Sequence, residues 1–191
     1  MCGQSDDVKY MFDNKPSFKI GGGVFIPQDQ STDVLGISPL IEVSLSYKIR
    51  KKKAIAFVTQ FVIPNQKEDF IYRRTIDTLS ARATFMMNAF LRFDKNMIQK
   101  ENSKLVLNLG LGLSNITTDA RNPFYEGDEG QTKYENISAI LVTPGLEWEV
   151  KTKYSVFTIG LNVQYAPYKL EGALEDNIGS LFYVPKIAYQ F

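Results

Sequence analysis

The chain has 191 residues, with 22 Lys and Arg against 21 Asp and Glu, so its formal net charge is +1. That length suits one domain, and the even charge balance offers none of the basic excess that nucleic-acid binding requires. There is no histidine and a single cysteine, Cys2, which excludes an intrachain disulfide, His-based general bases and triads, and nearly every common zinc site. A hydrophobic fraction of 44% and an aromatic fraction of 13% argue against disorder.

The chain starts with a polar segment, 1–16, expected to be flexible, that has neither a basic stretch nor an apolar run of the signal-peptide kind. Cys2 within it is either a lipidation site or a residue of a free tail. No apolar run approaches the roughly 18 residues of a transmembrane helix. From there to the end, 17–191, the hydrophobic period is 2 almost throughout, which is the signature of strands.

Eight strands follow in chain order. The first, about 18–27, puts Phe18, Ile20, Val24 and Ile26 on one face. The second, 41–49, sets Ile41, Val43, Leu45, Tyr47 and Ile49 against Glu42, Ser44, Ser46 and Lys48. The third, about 54–63, carries Ile55, Phe57, Phe61 and Ile63. A long fourth, 79–93, alternates Leu79, Ala81, Ala83, Phe85, Met87, Ala89, Leu91 and Phe93 with Ser80, Arg82, Thr84, Met86, Asn88, Phe90 and Arg92. In the fifth, 105–113, five leucines share a face opposite Val106, Asn108, Gly110 and Gly112. The sixth, about 137–150, opposes Ile140, Val142, Leu146, Trp148 and Val150 to Thr143, Glu147 and Glu149. The seventh, 157–165, and the eighth, 181–191, repeat the pattern, the last ending on Ile187, Tyr189 and Phe191 opposite Lys186 and Gln190.

The connections alternate in length. Tight links fall near 50–53 and 151–153, with an intermediate one at 94–103. Longer ones cover about 28–37, 65–76, 117–135 and 169–179, where Asn122-Pro123 and Glu126-Gly127 are loop signals. An even strand count returns both ends of the chain to the short-turn end. The short turns sum to a charge of about +6 and the long loops to about −6, so the expected barrel is a dipole along its axis.

Alternation alone does not say which face is inside. The apolar faces are nearly free of charge over about 9–11 residues, the length of a tilted transmembrane strand. A small soluble barrel must also taper and fill its interior, and rarely holds rows of large apolar side chains there. The expectation is therefore an all-β, eight-stranded antiparallel up-and-down transmembrane β-barrel, apolar face to lipid and polar face to the lumen. Phe18, Tyr47, Phe93, Trp148, Tyr189 and Phe191 all fall on the apolar face at the short-turn end, as an aromatic girdle at the headgroup level would. The inward face carries Glu42, Lys48, Arg82, Arg92, Glu147, Glu149 and Lys186, with amides such as Gln60, Asn108, Asn162 and Gln164. These charges are expected to pair as a plug, since an unpaired buried charge is costly. Glu147 and Glu149 are spaced as paired carboxylates, but they lie beside Lys-rich turns and salt bridging explains them.

With its eight amphipathic strands, short turns at one end and a final strand ending on Phe191, the chain resembles the small bacterial outer-membrane β-barrels, of which the OmpA transmembrane domain and OmpX are the familiar types. The resemblance implies an outer-membrane location with the short turns and both termini in the periplasm. Enzymes on this scaffold use, as families, an essential histidine, which this sequence lacks, and Gly21-Gly22-Gly23 lies within a strand rather than in a phosphate loop. No enzyme activity and no cofactor are expected. The function expected is that of a structural or interaction protein, or an accessory subunit of a larger outer-membrane complex, with membrane lipids around it. Phe70, Ile71 and Tyr72 in the second long loop, and Phe124 and Tyr125 in the third, are candidate contacts. The alternatives are a narrow channel for ions or small solutes, and a soluble lipocalin-like carrier with the faces reversed.

Overall fold

A computed structural model of the chain describes residues 16–74, 76–127, 131–153, 155–168, 174, 178 and 180–191. The expected flexible segment, apart from its last residue, and Cys2 within it lie outside the described residues, as does most of 169–179.

The strands are β1 (Ser17–Pro27), β2 (Ser38–Arg50), β3 (Lys53–Val62), β4 (Phe70–Arg73), β5 (Thr78–Ala81), β6 (Ala83–Gln99), β7 (Ser103–Arg121), β8 (Tyr134–Lys151), β9 (Val156–Tyr165) and β10 (Leu181–Gln190), with one short helix, α1 (Ser31–Val34). Eight of them close into a barrel in the order β1-β10-β9-β8-β7-β6-β3-β2, while β4 and β5 form a separate hairpin. Every neighbouring pair is antiparallel, and the seam is closed by β1 against β10, with Gly22 opposite Ile187 and Ile20 opposite Tyr189. Closure leaves no unpaired edge, the condition for a sheet to sit in hydrocarbon. Among the described residues no helix is long and apolar enough to cross a membrane.

The faces fall as the alternation predicts. Ile41 is 55% exposed, Leu111 62% and Ile187 62%, whereas Arg92 and Glu147, on the opposite face, are 1% exposed. Apolar side chains form the outer wall and charged ones the interior, the reverse of a water-soluble barrel. This rules out the lipocalin-like arrangement.

Two features depart from the expected strands. The fourth strand does not start at 79. Leu79 and Ala81 belong to β5, where they pair with Tyr72 and Phe70, and the barrel strand starts at Ala83. Between the two, the Arg82 backbone pairs with Asp119: Arg82 N donates to Asp119 Oδ1 at 2.8 Å and Arg82 O accepts from Asp119 N at 2.9 Å. A register shift between Ala83 and Phe85 then moves the strand by one residue, so Ala81 and Ala83 are buried while Phe85 faces out. One inserted residue reverses the phase of everything before it. Strands β6, β7 and β8 also run past their expected ends: Gln99 pairs with Lys104, and Arg121 with Tyr134. The stretch 94–99 is therefore ladder and not part of a link.

Candidate functional site: the barrel interior and its two mouths

An eight-stranded barrel is just wide enough to be filled by side chains, and the interior divides into layers. Nearest the long loops it is apolar. Phe25 stacks on Phe182 with centroids 4.3 Å apart, and Leu40, Val62, Met86, Ile116, Ile137 and Leu141 are buried around them. The hairpin β4–β5 continues this core with Phe70 and Tyr72, which are buried.

The middle layer is a run of amides and hydroxyls. Tyr168, in the connection from β9 to β10, is buried with its hydroxyl 2.5 Å from Ser114 Oγ. Ser114 bonds Asn88 Oδ1 at 2.5 Å, and Asn88 Nδ2 donates to Gln60 Oε1 at 3.0 Å. Gln164 also donates to Gln60 Oε1, at 2.7 Å, and Gln60 Nε2 donates to Glu42 Oε2 at 2.7 Å. Glu42 thus links this run to the charged layer.

In the charged layer, Lys186 Nζ lies 2.7 Å from Glu42 Oε1 and 2.9 Å from Glu147 Oε1. Arg92 reaches Glu147 Oε1 at 2.7 Å and Asp94 Oδ1 at 2.8 Å. Lys19 reaches Glu149 Oε1 at 2.8 Å and Glu147 Oε2 at 3.4 Å, and Lys104 meets Glu149 Oε2 at 2.7 Å. Carboxylates and cations are thus matched one for one. Each ion would cost several kcal/mol to bury alone; each here has a partner at hydrogen-bond distance. Glu147 is the hub, with Arg92, Lys186 and Lys19 all on one carboxylate. Gly160 makes room for it: a Cβ there would stand 3.0 Å from Glu147 Cγ and 3.3 Å from Lys186 Cε.

Of the charges expected inside, Glu42, Arg92, Glu147, Glu149 and Lys186 are brought together. Arg82 and Lys48 are not. Arg82 sits at the junction before β6, more than half exposed, and pairs with Asp69 at 3.1 Å; the shift at Ala83 takes it off the inward face. Lys48 is exposed at the short-turn mouth, because β2 rises out of the barrel before it turns. Lys19 and Asp94 belong to the network and were not expected there. Both are visible in retrospect: Lys19 alternates with Phe18 and Ile20, and Asp94 follows Arg92 by two residues on the same face.

Among the loop candidates, Phe124 is 67% exposed, and its N–H donates to Asn122 Oδ1 at 3.0 Å. Tyr125 and Ile71 are half-buried. Phe70 and Tyr72 are not exposed contacts, because their side chains pack into the apolar layer. No cluster of His, Cys, Asp or Glu among the described residues could hold a metal.

On the outer wall, Phe18, Phe93, Trp148 and Phe191 are exposed, and Tyr47 and Tyr189 are partly so. Phe157 joins them, edge-to-face with Tyr189 at 5.2 Å, and Tyr189 in turn packs on Phe191 at 4.8 Å. A second set occupies the long-loop end: Phe61 stacked on Phe85 at 6.2 Å, with Tyr165 and Tyr183 exposed. On β6 and β9 the two sets are separated by roughly 8 residues, which at about 3.3 Å per residue and a tilt of about 40° spans roughly 20 Å along the axis.

The comparison with solved structures agrees. The chain matches the crystal structure of Neisserial surface protein A over 92% of its length and 94% of that protein, with a TM-score of 0.59 and 9% identity. The fold is that of a small outer-membrane β-barrel. Weaker likenesses are to Ail, the attachment invasion locus protein of Yersinia pestis (TM-score 0.48, 14% identity, 92% of this chain and 97% of that one), and to the N-terminal β-barrel domain of Pseudomonas aeruginosa OprF (TM-score 0.42, 13% identity, 92% and 97%). No protein-family model and no curated protein matches the sequence.

Proposed function

We propose that the chain is an integral outer-membrane barrel with a side-chain-plugged lumen, acting without catalysis as a structural or interaction protein or as an accessory subunit of a larger outer-membrane complex. The observation that carries this reading is the inverted distribution of residues: a closed ladder with an apolar exterior, two sets of outward aromatics, and an interior taken up by paired charges and an apolar layer. The two aromatic sets act as belts at the two headgroup levels. The short turns and both termini face the periplasm, and the long loops face outward. Residues 17–191 make up a single barrel domain.

An interaction role needs an outward contact. Phe124 and its neighbour Tyr125 fit, as an aromatic pair on an exposed loop. Extraction in mild detergent, followed by sizing and mass spectrometry, tests this. Stoichiometric co-migration with larger proteins, weakened when Phe124→Ser and Tyr125→Ser are combined, is the expected result. A monomeric barrel whose behaviour is untouched by that pair would remove the partner role. Planar-bilayer recording tests the lumen: no current above lipid background is expected, and steady unitary conductance would replace this reading with a channel.

A further inference from the structure

The short-turn mouth opens into a cavity of about 380 Å³. Its floor is the charged layer, at Lys19, Asp94 and Glu149, and its rim is built by the turns β2–β3, β6–β7 and β8–β9. The floor acids are committed: Asp94 to Arg92, and Glu149 to Lys19 and Lys104. Of the acids lining the cavity this leaves Glu101 alone. The rim, in contrast, carries Lys48, Lys51, Lys100 and Lys151, none of which forms an ion pair among the described residues. These lysines come from three separate turns and line one concave space.

The turns are also fixed relative to one another. Asn96 N donates to Lys52 O and Lys151 N to Asn102 O, each at 2.8 Å, and Lys100 N donates to Ser103 O at 2.8 Å. The turns that carry these lysines are therefore fixed around one cavity, where their summed positive field favours an anion. An ammonium is a compact point charge suited to phosphate oxygens, and several around one cavity favour a ligand with more than one negative charge.

We propose that the short-turn mouth is a binding site for a multivalent phosphate-bearing anion, held by Lys48, Lys100 and Lys151 above the charged floor. The chemistry is shared by a soluble phosphorylated molecule and by the headgroups of anionic phospholipid. The inference goes beyond the proposed function and does not require the chain to have a protein partner.

The test uses the full chain in nanodiscs, with pyrophosphate as probe and titration calorimetry as readout. Saturable binding is expected, weakened about tenfold or more by combined Lys48→Gln, Lys100→Gln and Lys151→Gln, three exposed charges each contributing a modest share. Lys133→Gln, at the other end of the molecule, leaves binding unchanged, and heat-modified gel mobility checks that each variant is folded. Equal binding in phosphatidylcholine and phosphatidylglycerol discs supports a soluble ligand. Loss of binding in phosphatidylglycerol only, restored by phosphatidylcholine, supports the lipid headgroup as occupant. Absence of saturable binding in phosphatidylcholine discs, or binding indifferent to the triple variant, overturns the proposal.

Discussion

The two ends of the barrel interior solve the same filling problem with different chemistry. Toward the long loops, Phe25, Phe182, Leu40, Met86 and Ile137 fill the space as the core of a soluble protein would, with the hairpin β4–β5 closing over them. Toward the short turns, Glu42, Arg92, Glu147, Glu149, Lys19 and Lys186 fill it with ion pairs. Apolar packing is non-directional, and its loss scales with the cavity left behind. A buried ion pair adds little net energy, but breaking it leaves a charge with no partner. The apolar end therefore sets how strongly the barrel holds together, and the charged end sets how few alternative arrangements it tolerates.

This contrast predicts unequal losses. Glu147→Leu removes the carboxylate shared by Arg92, Lys186 and Lys19, leaving these three and Lys104 to Glu42, Asp94 and Glu149, four cations to three acids. A loss of about 4 kcal/mol is expected, read by urea unfolding in lipid vesicles. Trp148 is the only tryptophan and lies on the outer wall, so its fluorescence reports the transition. A loss below about 1 kcal/mol would mean that the remaining groups re-pair, and the hub would be only nominal. Phe182→Ala opens a cavity beside Phe25 and Tyr168, and about 3 kcal/mol is expected from the same assay. If the ranking reversed by a clear margin, the apolar end would be the less tolerant of the two.

How much of this the sequence disclosed follows the same division. The wall was legible because its alternation is unbroken: the leucines of β7 and the aromatic ending of β10 face where a period of 2 sends them. The charged layer was mostly legible because an acid or base on the quiet face of such a strand has nowhere else to go. The apolar layer was not, since Phe25, Phe90 and Phe182 lie on the face otherwise marked as polar, and only closure shows that they meet. Arg82 was misplaced because a single-residue shift at Ala83 carries no sequence mark. Phe70 and Tyr72 look like exposed loop aromatics until the hairpin pairs Phe70 with Ala81 and folds over the barrel. Local pattern sets faces; bulges and loop packing depend on contacts far apart in sequence.

The hairpin itself gives the smallest effect, and one in which pH selects the end of the molecule affected. At its tip Arg74 meets Asp77 through paired contacts of 2.5 Å and donates to Arg121 O of β7 at 2.8 Å, so that one guanidinium fastens the hairpin to the barrel. Its hydrogen bonds hold the Asp77 carboxyl below the ordinary carboxylate range. A depressed pKa means that the contribution is complete above the unfolded-state value and is lost as pH falls through the folded one. Amide protection across β4 and β5, corrected for the intrinsic exchange rate at each pH, should thus be unchanged from about pH 7 to about pH 5 and fall only below about pH 4, the ordinary carboxylate value. Asp77→Asn should show the lower protection at every pH, with no further fall on acidification. The pair is exposed, so added salt should blunt the effect. Hairpin protection that fell on acidification equally in Asp77→Asn would place the acid response outside the Arg74–Asp77 pair and remove the distinction between the two ends.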